Sequence, residues 1–261
     1  MNTVIVPVDF SETSLNAARY ASRLLAGHYG VTMVLYHSYS KSSEAEKITA
    51  ELEALKETLM KENIVKMEVL AHEESDFVDG LEKAARHRRA DLVIMGITGK
   101  SALAQVFFGS NTLKMAERKV CPVLIVPPAA EFKPLKNVML TSDFKNTLNT
   151  TPSAPIKDFL DVFNPQLHVV NVDKDHYISL TEDYEKEKQE LKQLFASYNP
   201  EFYFMRLYDV DEAINLFAES RNIDLIIAIQ KNHSFIGKLL SSSRTKTWSY
   251  HSKLPIMVMH E

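Results

Sequence analysis

The sequence says the same thing twice. DLVIMG at Asp91 returns as DLIIAI at Asp224, CPVLIVP at Cys121 as LPIMVMH at Leu254, and TVIVPVDF at Thr3 as NVMLTSDF at Asn137. The spacing is constant: Asp143 follows Asp9 by 134 residues, Asp224 follows Asp91 by 133, and Pro255 follows Pro122 by 133. Three separate segments at one period describe two copies of a unit of about 130 residues. The expected domains are 1–130 and 131–261. Between them, PPAAEFKPLK (Pro127 to Lys136) carries three prolines, which favour an extended connector over a continuing helix.

Within each copy, short β-branched runs alternate with longer helical patterns. The first copy offers TVIVPV, TMVLYHS, VKMEVL, DLVIM and PVLIVP; the second offers VMLTS, LHVVNV, FYFMRL, DLIIAI and PIMVM. Most are unbroken apolar runs, as parallel strands covered on both faces require. Between them Ile48, Leu52, Leu55 and Leu59, and then Val78, Leu81 and Ala85, recur at helical spacing and predict amphipathic helices. Strand–helix alternation of this length predicts an α/β fold: two tandem, open, parallel five-stranded sheets with helices on both faces.

Composition narrows the function classes. Thirty basic against 34 acidic residues give a formal charge of −4, without the basic excess of a nucleic-acid partner. No apolar stretch approaches the roughly 18 residues of a membrane span. MNTVIVPVDFSETS has no basic n-region, so it does not read as a signal peptide. Cys121 is the one cysteine, and a cytoplasmic location is the expectation by default.

Glycine is scarce, seven in 261 residues, yet three fall between Met95 and Thr112: Gly96, Gly99 and Gly109. The run begins at the carboxyl end of the predicted fourth strand, and Ser110 or Asn111 is placed to cap the helix that follows. Bare backbone and a helix amino terminus can together cradle a phosphate. The alternative is a surface loop whose glycines merely permit turns. Two familiar motifs are excluded. Gly99-Lys100-Ser101 lacks the earlier glycine of a Walker A loop, Ile94 standing there, and Asp9-Phe10-Ser11 follows the first strand where a Rossmann fingerprint would begin.

VPVDFSETS, the run Met95-Gly96-x2-Gly99-x9-Gly109-Ser110, and the closing CPVLIVP together resemble the universal stress protein family in tandem form, over essentially the whole chain. The resemblance implies a strand order of 3-2-1-4-5 and a nucleotide between the first and fourth strands. Carried over by position, it places Pro7 and Asp9 beside adenosine, and Ser38 offers backbone groups to the adenine. Met95 lines the base, while Gly96, Gly99, Gly109, Ser110 and Asn111 surround ribose and phosphates. Lys100 would add charge. The ligand implied is ATP or a related adenine nucleotide, with magnesium held through its phosphates. It also implies that the two copies form an internal pseudo-dimer, with fifth strands meeting and further homodimerisation open.

The second copy departs from the pattern. Ile229, Asn232 and Ser242 stand at the three glycine positions and Thr141 replaces Pro7, although Asp143 keeps the acid. A second nucleotide site is therefore not expected, and SSSRT (Ser241 to Thr245) reads as an exposed polar loop before it reads as an anion site. His37 and His168 read as strand or core histidines, and the nine histidines show no metal-ligand spacing. Cys121 reads as a packing residue, and EDYEKEKQELKQ from Glu182 as a solvated helix face. No positioned base or arginine finger can be named, so any ATP hydrolysis is expected to be slow. The expected function is a cytoplasmic stress-response protein binding adenine nucleotide in its first copy, the second acting as structural partner. The alternative is an interaction or scaffold protein of the same fold that binds none.

Overall fold

The repeated apolar runs become strands buried on both faces, with Val4, Ile5, Val6, Val93, Ile94 and Ile125 fully excluded from solvent. The computed structural model describes residues 1–97, 110–172, 182–205, 210–230 and 253–261, with backbone alone at 110, 172, 210 and 211. The chain divides into two units, Met1–Phe132 and Lys133–Glu261.

In the first unit the order is β1 (Thr3–Pro7), α1 (Glu12–Leu24), β2 (Thr32–Tyr39), α2 (Ala45–Glu62), β3 (Lys66–Glu73), α3 (Phe77–Arg88), β4 (Leu92–Gly96), α4 (Ser110–Glu117) and β5 (Val123–Val126). All pairs are parallel and the strands lie in the order β3-β2-β1-β4-β5. The second unit runs β6 (Asn137–Thr141), α5 (Thr147–Thr150), α6 (Ser153–Phe163), β7 (Gln166–Val172), α7 (Glu182–Leu194), β8 (Glu201–Met205), α8 (Val210–Ser220), β9 (Leu225–Gln230) and β10 (Ile256–His260). Its parallel sheet has the same topology, β8-β7-β6-β9-β10. Strand order reverses beside the first strand of each unit, where the carboxyl ends of its two neighbours leave a crevice. Among the described residues no helix is long and apolar enough to cross a membrane.

The repeated aspartates have a structural job. Asp91 Oδ2 accepts from the backbone N–H of Asn2 at 2.6 Å and Thr3 at 2.9 Å. Asp224 Oδ2 accepts from Lys136 at 2.8 Å and Asn137 at 3.0 Å. Each thus pins the start of its unit's first strand to the start of its fourth, satisfying amides that the ladder leaves unpaired.

The first helix differs between the units. In the first it runs unbroken for 13 residues. In the second it is split into α5 and α6 around Thr151 and Pro152, a proline having no N–H to continue the helix.

Candidate functional site

The candidate site begins at the turn leaving β1. Phe10 adopts a left-handed backbone with φ of 61°, unusual for a bulky residue. The turn is fastened by Asp9, whose Oδ1 accepts from Ser11 N–H at 3.0 Å and Ser11 Oγ–H at 2.5 Å. Ser11 caps α1, its Oγ accepting from Ser14 N–H at 3.3 Å, and Ser14 Oγ accepts from Asp9 N–H at 3.2 Å. Asp9 is therefore the buttress of the cap and not the cap itself. Burial pushes its carboxyl up, but the hydrogen bonds from Ser11 and Ser14 outweigh it and hold the group below the ordinary aspartate range.

Beyond this turn lies a cavity of about 620 Å³ at the carboxyl ends of the strands, within the usual range for a small-molecule site. The structure brings Pro7, Asp9, Ser38, Met95, Gly96 and Asn111 together on its wall. Gly99, Lys100 and Gly109 lie outside the described residues, as does the side chain of Ser110. Asn111 sits within the first turn of α4 rather than ahead of it as a cap. The polar anchor there is Thr112, which donates to the carbonyl of Gly96 at 3.0 Å and ties α4 to the end of β4.

The wall also holds residues that the sequence reading did not select: Ser14 from α1, His37 from β2, Glu74 and Phe77 beyond β3, and Thr112. His37 Nδ1 donates to the Val8 carbonyl at 2.5 Å, which fixes its tautomer, and its ring faces Phe10 at a centroid distance of 5.4 Å. The available signal was positional: residues just past the carboxyl ends of strands flanking a switch point face the crevice, whatever their type. Three helices direct their amino-terminal turns at the cavity, α1 through Thr13 and Ser14, α3 through Phe77, and α4 through Asn111 and Thr112. Their dipoles favour an anion, although Ser14 N–H already bonds Ser11 Oγ at 3.3 Å and, at the start of α3, Asp79 N–H bonds Asp76 Oδ1 at 2.9 Å. Among the described lining residues the charged side chains are Asp9 and Glu74, both acidic, so the donors this wall offers an anion are neutral ones: backbone N–H groups and the hydroxyl and amide side chains of residues such as Thr13, Ser40 and Asn111.

Gly96 corrects one expectation in its reason. Its missing side chain was assigned to ligand space, but a Cβ there would lie 2.5 Å from the carbonyl oxygen of Thr13 and 2.9 Å from its carbon. The bare carbon admits the first turn of α1 against β4, and so brings Ser11 and Ser14 to the cavity rim.

The corresponding place in the second unit is built differently. Phe144 repeats the left-handed turn with φ of 51°, and Asp143 Oδ1 accepts from Lys145 N–H at 3.1 Å. Asn171 stands where the first unit has His37, and donates to the Ser142 carbonyl at 3.0 Å. Ile229 replaces Gly96 and is buried. Glu187 of α7 turns inward, its Oε2 accepting from Thr147 N–H and Thr147 Oγ–H, each at 2.7 Å. The helix start is thereby satisfied by the unit's own carboxylate. Burial raises the Glu187 carboxyl, and the bonds from Thr147 overcome this to hold it below the usual glutamate range. This corrects the reading of Glu182 to Gln193 as purely solvated. Asn232, Ser242 and the SSSRT segment lie outside the described residues.

Residues 1–127 match the model of the universal stress protein family. A universal stress protein of Thermus aquaticus is 28% identical over 134 residues, 48% of this chain and 97% of its own. Another, from Methanocaldococcus jannaschii, is 25% identical over 136 residues, 47% of this chain and 80% of its own. Among solved structures, a universal stress protein from Archaeoglobus fulgidus aligns over 99% of this chain and 98% of its own, with a TM-score of 0.67 and 16% identity. The last likeness spans both units and concerns the fold.

Proposed function

Residues 1–127 belong to the universal stress protein family, and on that footing we propose that the N-terminal unit binds an adenine nucleotide, ATP first among them, in the service of a stress response in the cytoplasm. The observation that carries the reading is the cavity of about 620 Å³ at the switch point, where Pro7, Asp9, Ser38, Met95, Gly96 and Asn111 converge although they come from four separate segments of the chain. Ser38 and Met95 would flank the base, with Asp9 near the ribose and the first turn of α4 at the phosphate end. Gly99, Gly109 and Ser110 would complete the phosphate side. Any magnesium would be held mainly through phosphate oxygens and water.

The second unit is read as a structural partner without a nucleotide of its own. Its Gly96 counterpart is the buried Ile229, and its first-helix start already holds the Glu187 carboxylate. Binding would report nucleotide status through shape or association, and turnover is not part of the reading. The rival is an interaction module that carries the fold without the ligand.

Two measurements decide between them. Protein purified from cells and denatured should release adenine nucleotide, and calorimetric titration of the emptied full chain with ATP should give one site per chain. Replacement of Asp9 by Ala should weaken that site about tenfold, the loss of one charge-assisted contact. A chain that releases no nucleotide and shows no heat with ATP is the interaction module.

A further inference from the structure

The cavity wall has a charged feature that the nucleotide reading leaves unused. Glu74 follows β3, and its N–H donates to the Tyr39 carbonyl at 2.9 Å, which fixes it beside the end of β2 and Ser38. Its side chain is only 21% exposed, and Oε2 is paired with the ammonium of Lys83, whose own side chain is 64% exposed. The Lys83 hydrogen bond holds the Glu74 carboxyl below the ordinary glutamate range despite its partial burial, so at neutral pH it is ionised and can only accept.

Two neighbours show that the carboxylate is positioned rather than incidental. A Cβ on Gly80 of α3 would fall 2.9 Å from Glu74 Cγ and 2.6 Å from Tyr36 Oη, so only glycine lets the helix pass this close. Tyr36 is fully buried behind the same wall, and its hydroxyl makes no hydrogen bond of ordinary geometry. Ser38 and the Glu74 charge are the polar groups that act on it. Along the cavity, Glu74 and Ser38 lie at the β2–β3 end and Asn111 and Thr112 at the β4 end. A nucleotide with its phosphates at α4 would present its base to Glu74.

Resting on the nucleotide reading, we propose that Glu74 is a specificity-determining residue that accepts a hydrogen bond from the exocyclic amine of the base, and so selects amino-bearing bases. A base without that donor leaves a partly buried carboxylate facing a carbon-bound hydrogen or a carbonyl oxygen. Sites built to bond a donor reject analogues lacking it much more strongly than apolar pockets reject a missing methylene.

The test compares ATP with purine riboside triphosphate, which differs only in having hydrogen in place of the 6-amino group. Both are titrated calorimetrically into the full wild-type chain, Glu74→Met and Lys83→Met, with thermal unfolding recorded for each protein. Wild type should prefer ATP by about tenfold or more. Glu74→Met should bring the two ligands within about twofold of each other, chiefly by weakening ATP. Lys83→Met breaks the same ion pair but keeps the acceptor, and should hold the preference within about threefold of wild type. An unchanged preference in Glu74→Met overturns the inference and leaves the nucleotide reading standing. So does a preference lost equally in Lys83→Met, which would assign the effect to the ion pair. A wild type that binds neither ligand overturns both.

Discussion

The two units share a strand order, an aspartate clamp and a left-handed turn after their first strand, yet they differ in the side chains that meet at the switch point. In the first unit Gly96 yields to the backbone of Thr13, which lets the first turn of α1 approach β4; α1 is continuous, and a cavity lies beyond it. In the second, Ile229 is buried at the same position, the first helix is split, and a carboxylate from α7 satisfies its start. The difference teaches that a glycine in such a crevice can serve a ligand indirectly, by letting a helix approach, as well as by leaving room for it.

The largest expected effect comes from imposing the second unit's choice on the first. Gly96→Ile should drive a side chain into the first turn of α1 and cost about 3 kcal/mol, read as a lower midpoint in denaturant with the slope unchanged. ATP binding should be lost with it. Full stability in this variant would mean that the helix moves aside freely and that the contrast between the units is incidental.

A smaller effect is expected from the carboxylate of the second unit. Glu187→Ala removes the two short bonds of the buried Thr147, leaving its hydroxyl only the residue 187 carbonyl and Glu190 Oε2, each at 3.4 Å, and should cost about 2 kcal/mol. The sign with pH follows from the lowered carboxyl. In wild type this contribution is complete above the unfolded glutamate value and fades as pH falls through the lower folded value. The stability difference between wild type and variant should therefore shrink in acid. A difference independent of pH would remove the charge from the account.

Asp9→Ala should unfasten the Ser11 cap at a cost of about 1 kcal/mol, measured by urea unfolding. The smallest effect is an exchange between units: His37→Asn copies Asn171, which already makes the same bond to the corresponding carbonyl. It should change stability by less than about 0.5 kcal/mol in the same measurement. A larger loss would mean that the stacking of His37 on Phe10 contributes more than its hydrogen bond.

Much of the fold was legible because its signals are local. The unbroken runs at Thr3, Leu92 and Leu225 had nowhere to go but the middle of a parallel sheet, and the constant offset between aspartates announced two units before any strand was placed. Of the site, Pro7, Asp9, Ser38, Met95, Gly96 and Asn111 could be chosen from motif and resemblance, and they do converge on one cavity. Glu74 and His37 were reachable only by their position past a strand end, because each belongs to an ordinary-looking stretch and gains its meaning from a segment far along the chain: Glu74 from Tyr39, His37 from Val8. Glu187 was hidden in the same way, within an alternating charge run that carries no local mark of which carboxylate reaches Thr147.

By itself, then, the sequence determined the periodic features: strand and helix alternation, the duplication, the scarcity of glycine and its concentration after the fourth strand. Each depends on residues close in the chain, where steric preference and apolar spacing act directly. The tertiary structure alone decided which atoms share the crevice, that Gly96 accommodates a helix, and that Glu187 turns inward while Glu74 borders the cavity. Those outcomes depend on contacts between distant segments, and a carboxylate carries no local mark of whether its partner will be water or a buried amide.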